Sequence, residues 1–110
     1  MKFKTTRNEI VNNYEKIIRV PYCDAQFLLQ YQEPIAYNHG VYGWNFDVYV
    51  VEGVAICTGY RSLVGETFKN LKKYEEKARK IYYNWDLTYQ QKQKRLNRLL
   101  HNMIVEFKEG

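Results

Sequence analysis

The chain has 110 residues, 45% hydrophobic, 16% aromatic and 26% charged, with a formal net charge of +5. The length predicts a single domain over residues 1–110, because one hydrophobic core closes at about 100 to 150 residues, and the composition excludes a disordered chain. Apolar runs fall far short of the roughly 20 residues of a membrane-spanning helix, and the first ten residues lack the apolar stretch of a secretory signal. We therefore expect a cytoplasmic protein without membrane contact.

The N-terminal segment predicts a helix followed by a strand. Thr6 and Glu9 have the spacing of a capping box, in which each side chain satisfies the other residue's backbone amide. This spacing predicts a short helix over residues 7–14. The β-branched segment 16–20 then ends at Pro21, which favours a short edge strand because proline cannot donate to a strand ladder.

A second helix is predicted in the segment AQFLLQY, residues 25–31. Asp24 can cap its first turn, and Pro34 requires that it end before that position. Cys23 precedes this helix start, where the helix dipole lowers the pKa of a thiol. A thiol enzyme that uses Cys23 is therefore kept as a third functional hypothesis.

The segment 44–59 predicts a β-hairpin. Apolar residues alternate along WNFDVYVV with the period of a strand, and Glu52-Gly53 is a two-residue turn. The segment YNHGVYG, residues 37–43, is predicted to be the loop that leads into the hairpin. The predicted register places large residues opposite small ones, with Val51 opposite Val54, Val50 opposite Ala55, Val48 opposite Cys57 and Phe46 opposite Gly59.

Two amphipathic helices are predicted in the C-terminal part. Apolar residues recur at steps of three and four over residues 68–85 and again over residues 96–107. The second helix begins after another capping box, formed by Thr88 and Gln91. Because a short connection joins the two helices, they are predicted to pack antiparallel to each other.

The predicted fold class is therefore α+β. Its small antiparallel sheet consists of the hairpin 44–59 and the short strand near residues 16–20, and the C-terminal helical hairpin packs against that sheet. Cys57 lies in the second strand of the hairpin and is predicted to be a small buried hydrophobe instead of a reactive thiol. His39 and His101 lack a second histidine at ligand spacing, so the sequence predicts no metal, cofactor or catalytic residue.

Positive charge is concentrated in the helices. Residues 1–65 carry six basic and six acidic side chains, whereas residues 66–110 carry eleven basic and six acidic ones. A basic face beside tyrosines is typical of phosphate binding. The predicted partner-binding residues are Lys69, Lys73, Lys77, Lys80, Lys92, Lys94, Arg95 and Arg98 on the helices, with Tyr37, His39 and Tyr42 from the aromatic loop.

Two simpler interpretations of these residues stay open. Lysines on the outer side of a helix are ordinary solvated residues, and Glu75, Glu76 and Glu106 interrupt the positive field. The aromatic side chains of the loop can also be partly buried over the end of the sheet, without any partner.

Several blocks of the chain together resemble a known family. YCDAQFLLQYQEPIAYNHGVYGWNFDVYVVEGVAICTGYRSLVG, followed by KKYEEKARKI and RLNRLLHNMI, is similar to a widespread small-protein family of unknown function encoded on plasmids, prophages and integrative conjugative elements of Gram-positive bacteria. Members commonly carry proline where this chain has Ser62. The most specific blocks are Tyr22-Cys23 with Gln26, Tyr42-Gly43-Trp44 with Asp47, and Thr58-Gly59-Tyr60-Arg61.

The resemblance implies a genetic setting and a fold, but no catalytic residues. Small proteins of such elements often inhibit host defence or act as accessory DNA-binding factors. The first hypothesis is therefore a non-enzymatic protein that inhibits a type II CRISPR effector of the bacterial host, an anti-CRISPR protein that binds the effector or competes with its nucleic acid. Its partner would be a host nucleoprotein effector or an acidic protein surface. The alternative is an accessory protein that binds RNA or DNA phosphates with the basic helical face.

Charge narrows the way in which such an inhibitor would act. Proteins that imitate DNA present carboxylates to the positively charged channel of the effector, and this chain is basic. Competition for guide RNA, or binding to an acidic protein surface, fits the composition better.

Overall fold

A six-stranded mixed sheet forms the centre of the fold in the computed structural model, which describes residues 3–21, 24–39, 45–59 and 64–110. The elements are β1 (Phe3–Lys4), α1 (Arg7–Asn13), β2 (Ile17–Pro21), β3 (Ala36–His39), β4 (Asn45–Val51), β5 (Val54–Gly59), β6 (Glu66–Thr67), α2 (Leu71–Tyr82) and α3 (Tyr89–Glu109). The strand order is β1-β3-β4-β5-β2-β6, with antiparallel pairs at β3–β4 and β4–β5 and parallel pairs at β1–β3, β2–β5 and β2–β6.

The predicted α+β class is confirmed, as is the register of the hairpin. Val51 pairs with Val54, Val50 with Ala55, Val48 with Cys57 and Phe46 with Gly59. At the turn, Glu52 and Gly53 both have positive φ, 50° and 82°. Two consecutive positive φ values match the twist of the flanking strands, and this explains why the turn contains glycine.

The sheet contains more strands than the sequence predicts, and β2 is not an edge strand. β2 lies between β5 and β6, and both of these neighbours are parallel to it. Pro21 is nevertheless tolerated, because β6 pairs only with Ile18 and Arg19 and ends before it. The missing amide of the proline therefore leaves no gap in that short ladder.

The predicted loop 37–43 is wrong at its start, because Tyr37 and His39 lie in strand β3. Tyr37 pairs with Asp47, and the amide of Ile35 donates to the carbonyl of Val48 at 2.8 Å. Without β3, strand β4 would expose its backbone groups at an edge of the sheet. The rest of that loop, with Tyr42, and the first predicted strand residue, Trp44, lie outside the described residues.

The predicted helix over residues 25–31 is also wrong, since this segment forms successive turns. The amide of Leu29 donates to Ala25 as in a helix, whereas the amides of Phe27 and Leu28 donate to the side chain of Glu75 on α2. In the predicted helix the amide of Phe27 would donate to the side chain of the capping residue Asp24, and the amide of Leu28 would donate to the Asp24 carbonyl. A long-range contact therefore replaces the local hydrogen bonds that the sequence favours.

Two hydrophobic clusters cover the two faces of the sheet. The larger cluster joins β2 and β5 to α2, α3 and the segment 24–32; its fully buried members include Ile18, Val20, Ile56, Ala78, Leu96, Leu100 and Ile104. The smaller cluster lies under α1 and contains Ile10, Ile17, Ala36, Phe46, Val48, Ala55, Cys57 and Val64. The helical pair and α1 thus lie on opposite faces of the sheet.

The helix ends agree with the predicted capping residues. Thr6 accepts from the amide of Glu9 at the start of α1, and Thr88 forms a complete capping box with Gln91 at the start of α3. The first C-terminal helix is shorter than predicted, because α2 ends at Tyr82 and leaves Trp85 in the connection, 84% exposed. Among the described residues, none of the helices combines the length and the apolar character that a bilayer crossing requires.

Candidate functional site

The basic residues of α2 lie on the side of the helix that faces solvent. Leu71, Tyr74 and Ala78 are its buried residues, so they fix which side packs on the core. Lys73, Lys77 and Lys80 are spaced three and four positions apart on the other side, which makes them neighbours on the helix surface. Lys69 lies just before α2 and is also exposed.

The basic residues of α3 are arranged in the same way. Leu96, Leu100 and Ile104 are buried, while Lys94, Arg95 and Arg98 are exposed. The helix itself is stabilised at its N-terminus by the capping box and along its length by the packing of its apolar stripe. We refer to the exposed basic residues of both helices as the basic face: Lys69, Lys73, Lys77, Lys80, Lys94, Arg95 and Arg98.

Two of the carboxylates expected to interrupt this field are used inside the fold. Glu75 is half-buried and accepts from the amides of Phe27 at 3.0 and 3.1 Å and of Leu28 at 2.9 Å. Burial raises the pKa of the Glu75 carboxyl, while the backbone hydrogen bonds that it accepts lower it. Glu106 accepts from Asn70 at 2.8 Å and from the hydroxyl of Tyr74 at 3.3 Å.

The basic face is not neutralised by ion pairs in the described part of the chain. Both ion pairs found there use a histidine: His39 with Asp47 at 3.1 Å, and His101 with Glu52 at 2.7 Å. Within the same residues, no lysine or arginine lies within 4 Å of a carboxylate oxygen. Glu76, which is exposed on α2, is the remaining carboxylate of the three that the sequence places in this field.

Lys92 differs from the other basic residues because its side chain is half-buried. Its Nζ lies 5.7 Å from the ring centroid of Tyr82 and 5.2 Å from that of Trp85. Both distances are within the range of a cation–π contact. Lys92 therefore belongs to the aromatic connection between α2 and α3 and not to the basic face.

His39 lies at a separate cavity of about 760 Å³ beside the sheet, and the ring of Tyr37 packs next to it. Their rings are 4.9 Å apart, and His39 Nε2 is 3.1 Å from Asp47 Oδ1 on β4. The segment 24–32 forms the opposite wall of this cavity. The described lining residues are Val20, Ala25, Gln26, Leu29, Gln30, Gln32, His39, Asn45, Phe46, Asp47, Tyr49, Thr58 and Gly59.

The cavity differs in chemistry from the basic face. Its described lining includes amide and hydroxyl groups, and the contact between His39 and Asp47 lies within it. Burial raises the pKa of Tyr49, and the nearby charge of Asp47 raises it further. Of its lining residues only His39 is a predicted contact residue, although the polar side of the alternating β4 strand, with Asn45 and Asp47, is a signal for the cavity.

The segment 24–32 separates the cavity from the helical hairpin. Gln26 and Leu29 line the cavity, whereas Phe27 packs against Tyr82 of α2 at 5.3 Å. The structure thus divides the predicted contact residues into two groups: the helical lysines and arginines, and Tyr37 with His39. Tyr42 lies outside the described residues.

Cys57, the cysteine among the described residues, gives no evidence of nucleophilic chemistry. Cys57 is 1% exposed, and burial raises its pKa to about 12, so its thiol stays protonated at neutral pH, as the prediction of a small buried hydrophobe requires. Cys23 lies outside the described residues, and the helix dipole invoked for it is absent because residues 25–31 form turns. Among the described residues, no group of three metal-ligating side chains is assembled.

Comparison of the chain with protein families, with characterised proteins and with solved structures finds no match.

Proposed function

We propose that this chain is a non-enzymatic binding protein of a mobile genetic element that binds nucleic-acid phosphates through its basic face. In the setting implied by the family resemblance, the partner is the guide RNA of a host CRISPR effector, and binding inhibits that effector. The observation that carries the proposal is the absence of ion pairs on the basic face: no lysine or arginine of the described residues is ion-paired, Glu75 and Glu106 accept hydrogen bonds within the fold, and Glu76 is the one exposed carboxylate of the three.

The geometry of α2 suits a polyanion. Lys73 and Lys80 are seven residues apart, which is about 10 Å along a helix axis, and Lys77 lies between them. Along one strand of a DNA duplex the phosphates follow each other about every 3.4 Å of axis, so a row of this length spans several phosphates of a single strand. A single acidic residue on a protein surface would use only one of the lysines.

Rigidity adds to this argument. The basic side chains extend from two helices whose apolar sides are buried in one cluster, with Leu71 and Leu100 nearly inaccessible. The backbone therefore needs no ordering when a partner binds, and only flexible lysine and arginine side chains lose freedom. Attraction to the polyanion also speeds association and weakens as salt screens the charges.

The proposal is tested by inhibition of a purified effector. A type II effector nuclease from a Gram-positive host is assayed for target cleavage, with this protein added before or after guide RNA. We expect strong inhibition when the protein meets the guide RNA first and weak inhibition after the effector is loaded. The variant Lys73→Glu/Lys77→Glu should lose inhibition.

A matched variant controls for net charge. Arg7→Glu/Arg19→Glu also reverses two exposed basic residues, but these lie on α1 and β2, away from the helical hairpin. This variant should inhibit like the wild type. Failure of the wild-type protein to inhibit effectors from several such hosts would remove the inhibitor function.

An accessory nucleic-acid-binding protein is the second candidate, and the same basic face without ion pairs favours it. No effector is required in that case, and binding is mostly independent of sequence because phosphates carry no sequence information. A gel-shift series at low salt separates the two candidates when read beside the cleavage assay. Binding without inhibition favours the accessory role, whereas no binding to RNA or DNA at low salt eliminates it.

A further inference from the structure

The connection between α2 and α3 presents a cluster of aromatic side chains to solvent. Trp85 is 84% exposed, Tyr89 is 63% exposed and Tyr83 is 49% exposed. Large exposed aromatic residues that are grouped together commonly mark an interaction site, whereas isolated ones are ordinary. We refer to these three residues as the aromatic tip.

The aromatic tip rests on a half-buried aromatic layer. Tyr89 contacts the ring of Tyr31 edge to face, with centroids 5.0 Å apart, and Tyr83 contacts Phe27 at 5.5 Å. Phe27 also packs on Tyr82 at 5.3 Å. Rings held in this way lose little conformational freedom when a flat ligand stacks on them, so Tyr83 and Tyr89 are organised before binding.

The backbone that carries Trp85 is held by hydrogen bonds. The amide of Asn84 donates to Ile81 and that of Leu87 donates to Asn84, each at 3.2 Å. The amide of Asp86 donates to the side-chain oxygen of Asn84 at 3.0 Å, and the capping box of α3 follows directly. The exposure of Trp85 is therefore a property of the ordered turn and not of a frayed helix end.

Positive charge surrounds the aromatic tip. Arg79 and Lys80 lie in the last turn of α2, and Lys92 and Arg95 follow in the first turns of α3. Lys92 Nζ lies over the ring of Trp85 at 5.2 Å. Asp86 is the acidic residue of this connection, so basic groups outnumber it.

We propose that the aromatic tip is a stacking platform for unpaired bases of single-stranded nucleic acid. Bases stack on Trp85, Tyr83 and Tyr89, while Lys80 and Arg95 bind the adjoining phosphates. Aromatic side chains beside a positively charged track are the general means of binding single strands, since every base has a flat face to stack. In a duplex the bases are already stacked on each other, so the aromatic tip has nothing to bind there.

Charge favours nucleic acid over a protein partner. Tryptophan, tyrosine and arginine are also common in protein–protein contacts, but lysine is depleted at the centre of such contacts. Here Lys80 and Lys92 flank the exposed rings. This inference rests on the proposed function, because it specifies which form of nucleic acid the basic face and the tip bind together.

The test compares single-stranded RNA with a duplex of the same sequence, both fluorescently labelled, by anisotropy titration. Trp85→Ala should weaken single-strand binding by roughly 5- to 150-fold, the range of one lost stacked base, and leave duplex binding unchanged. Trp85→Phe should restore part of the loss. Emission of Trp85 should also be quenched when the single strand binds, and the alanine variant should lack this quenching.

Phe3→Ala is the matched control, because Phe3 is 63% exposed like Tyr89 but lies on the edge strand β1. It should bind as the wild type does. Single-stranded DNA should show the same dependence on Trp85 as RNA, since stacking does not involve the 2′-hydroxyl. Thermal unfolding of each variant checks that folding is intact.

The outcomes separate this inference from the proposed function. If Trp85→Ala binds single strands normally while Lys73→Glu/Lys77→Glu binds neither form, the stacking platform is overturned and the basic face stands. If Trp85→Ala loses binding to an effector that carries no RNA, the aromatic tip is a protein-docking site and the inference is overturned. If the wild type binds neither nucleic acid, both the inference and the phosphate-binding proposal fall.

Discussion

Glu75 holds the segment 24–32 against α2, and replacing it with alanine measures the strength of that connection. Its carboxylate accepts from the amides of Phe27 and Leu28, at distances from 2.9 to 3.1 Å. A buried donor left without a partner costs about 1 to 3 kcal/mol. Glu75→Ala leaves two such donors without a partner. Because Glu75 is only half-buried, water replaces part of the lost hydrogen bonding, so we expect the free energy of unfolding to fall by about 2 to 4 kcal/mol.

Denaturant titration at neutral pH, followed by far-UV circular dichroism, measures this loss. It is a large fraction of the roughly 5 to 15 kcal/mol that stabilises a small domain. Glu75→Gln keeps one carbonyl acceptor and should lose about half as much. A loss below about 0.5 kcal/mol in the alanine variant, typical of an ordinary surface position, would refute this role of Glu75.

The pH dependence supplies a second test of the same residue. Burial raises the folded-state pKa of Glu75 above its usual value of 4.5, so the folded protein holds this proton more tightly than the unfolded chain. Its contribution to stability is therefore fully present below the usual pKa and is lost as pH rises through the raised one. The stability of the wild type relative to Glu75→Gln should fall from acid to neutral pH, and a rising difference would contradict the pKa direction.

Two further predictions concern Gly65 and Cys57. Gly65 has a φ of 104°, and a Cβ added there would lie 2.6 Å from the carbonyl oxygen of Ile17. Gly65→Ala should therefore lower the free energy of unfolding, measured by denaturant titration, by about 1 to 3 kcal/mol or more. An unchanged midpoint would show that the backbone adapts freely. The side chain of Cys57 is buried, and burial raises its pKa to about 12. In a Cys23→Ser background, Cys57 should therefore resist alkylation at neutral pH until denaturant is added. Rapid labelling of the native protein would disprove its burial.

Local patterns in the sequence were sufficient to predict the hairpin and the start of α3. Alternation along β4 and the Glu52-Gly53 turn determine the register without reference to distant residues, and the capping box at Thr88 is complete within four positions. The remaining strands could not be predicted in this way. β1, β3 and β6 are two to four residues long, and each is stabilised by pairing with a strand elsewhere in the chain.

The candidate site was predicted only in part for a similar reason. Helical spacing identifies Lys73, Lys77 and Lys80 as one exposed row, because periodicity is a local property. The inward orientation of Glu75 depends on amides 47 and 48 residues away, and that of Glu106 depends on residues 32 and 36 positions away. Counting charges along the chain therefore does not show which carboxylates lie among the exposed lysines and which are bonded within the fold.

Trp85 shows the limit of periodicity most clearly. It continues the apolar spacing of α2, but that helix ends at Tyr82, so the stripe extends past the last residue that it can bury. A sequence pattern specifies which positions would share a face of a helix and not where the helix ends. The apolar spacing predicts a core position for Trp85, but its indole is exposed. The stacking proposal depends on this exposed side chain.

The salt dependence of binding tests most directly the claim that the basic face contacts phosphates. The dissociation constant for single-stranded RNA is measured over a series of salt concentrations, for the wild type and for Lys73→Gln/Lys77→Gln/Lys80→Gln. The logarithm of affinity should fall linearly with the logarithm of salt, and the slope of the variant should be smaller by about 2, since each single-strand phosphate contact contributes about 0.7. Equal slopes for the two proteins would contradict the assignment of the basic face as the phosphate-binding surface.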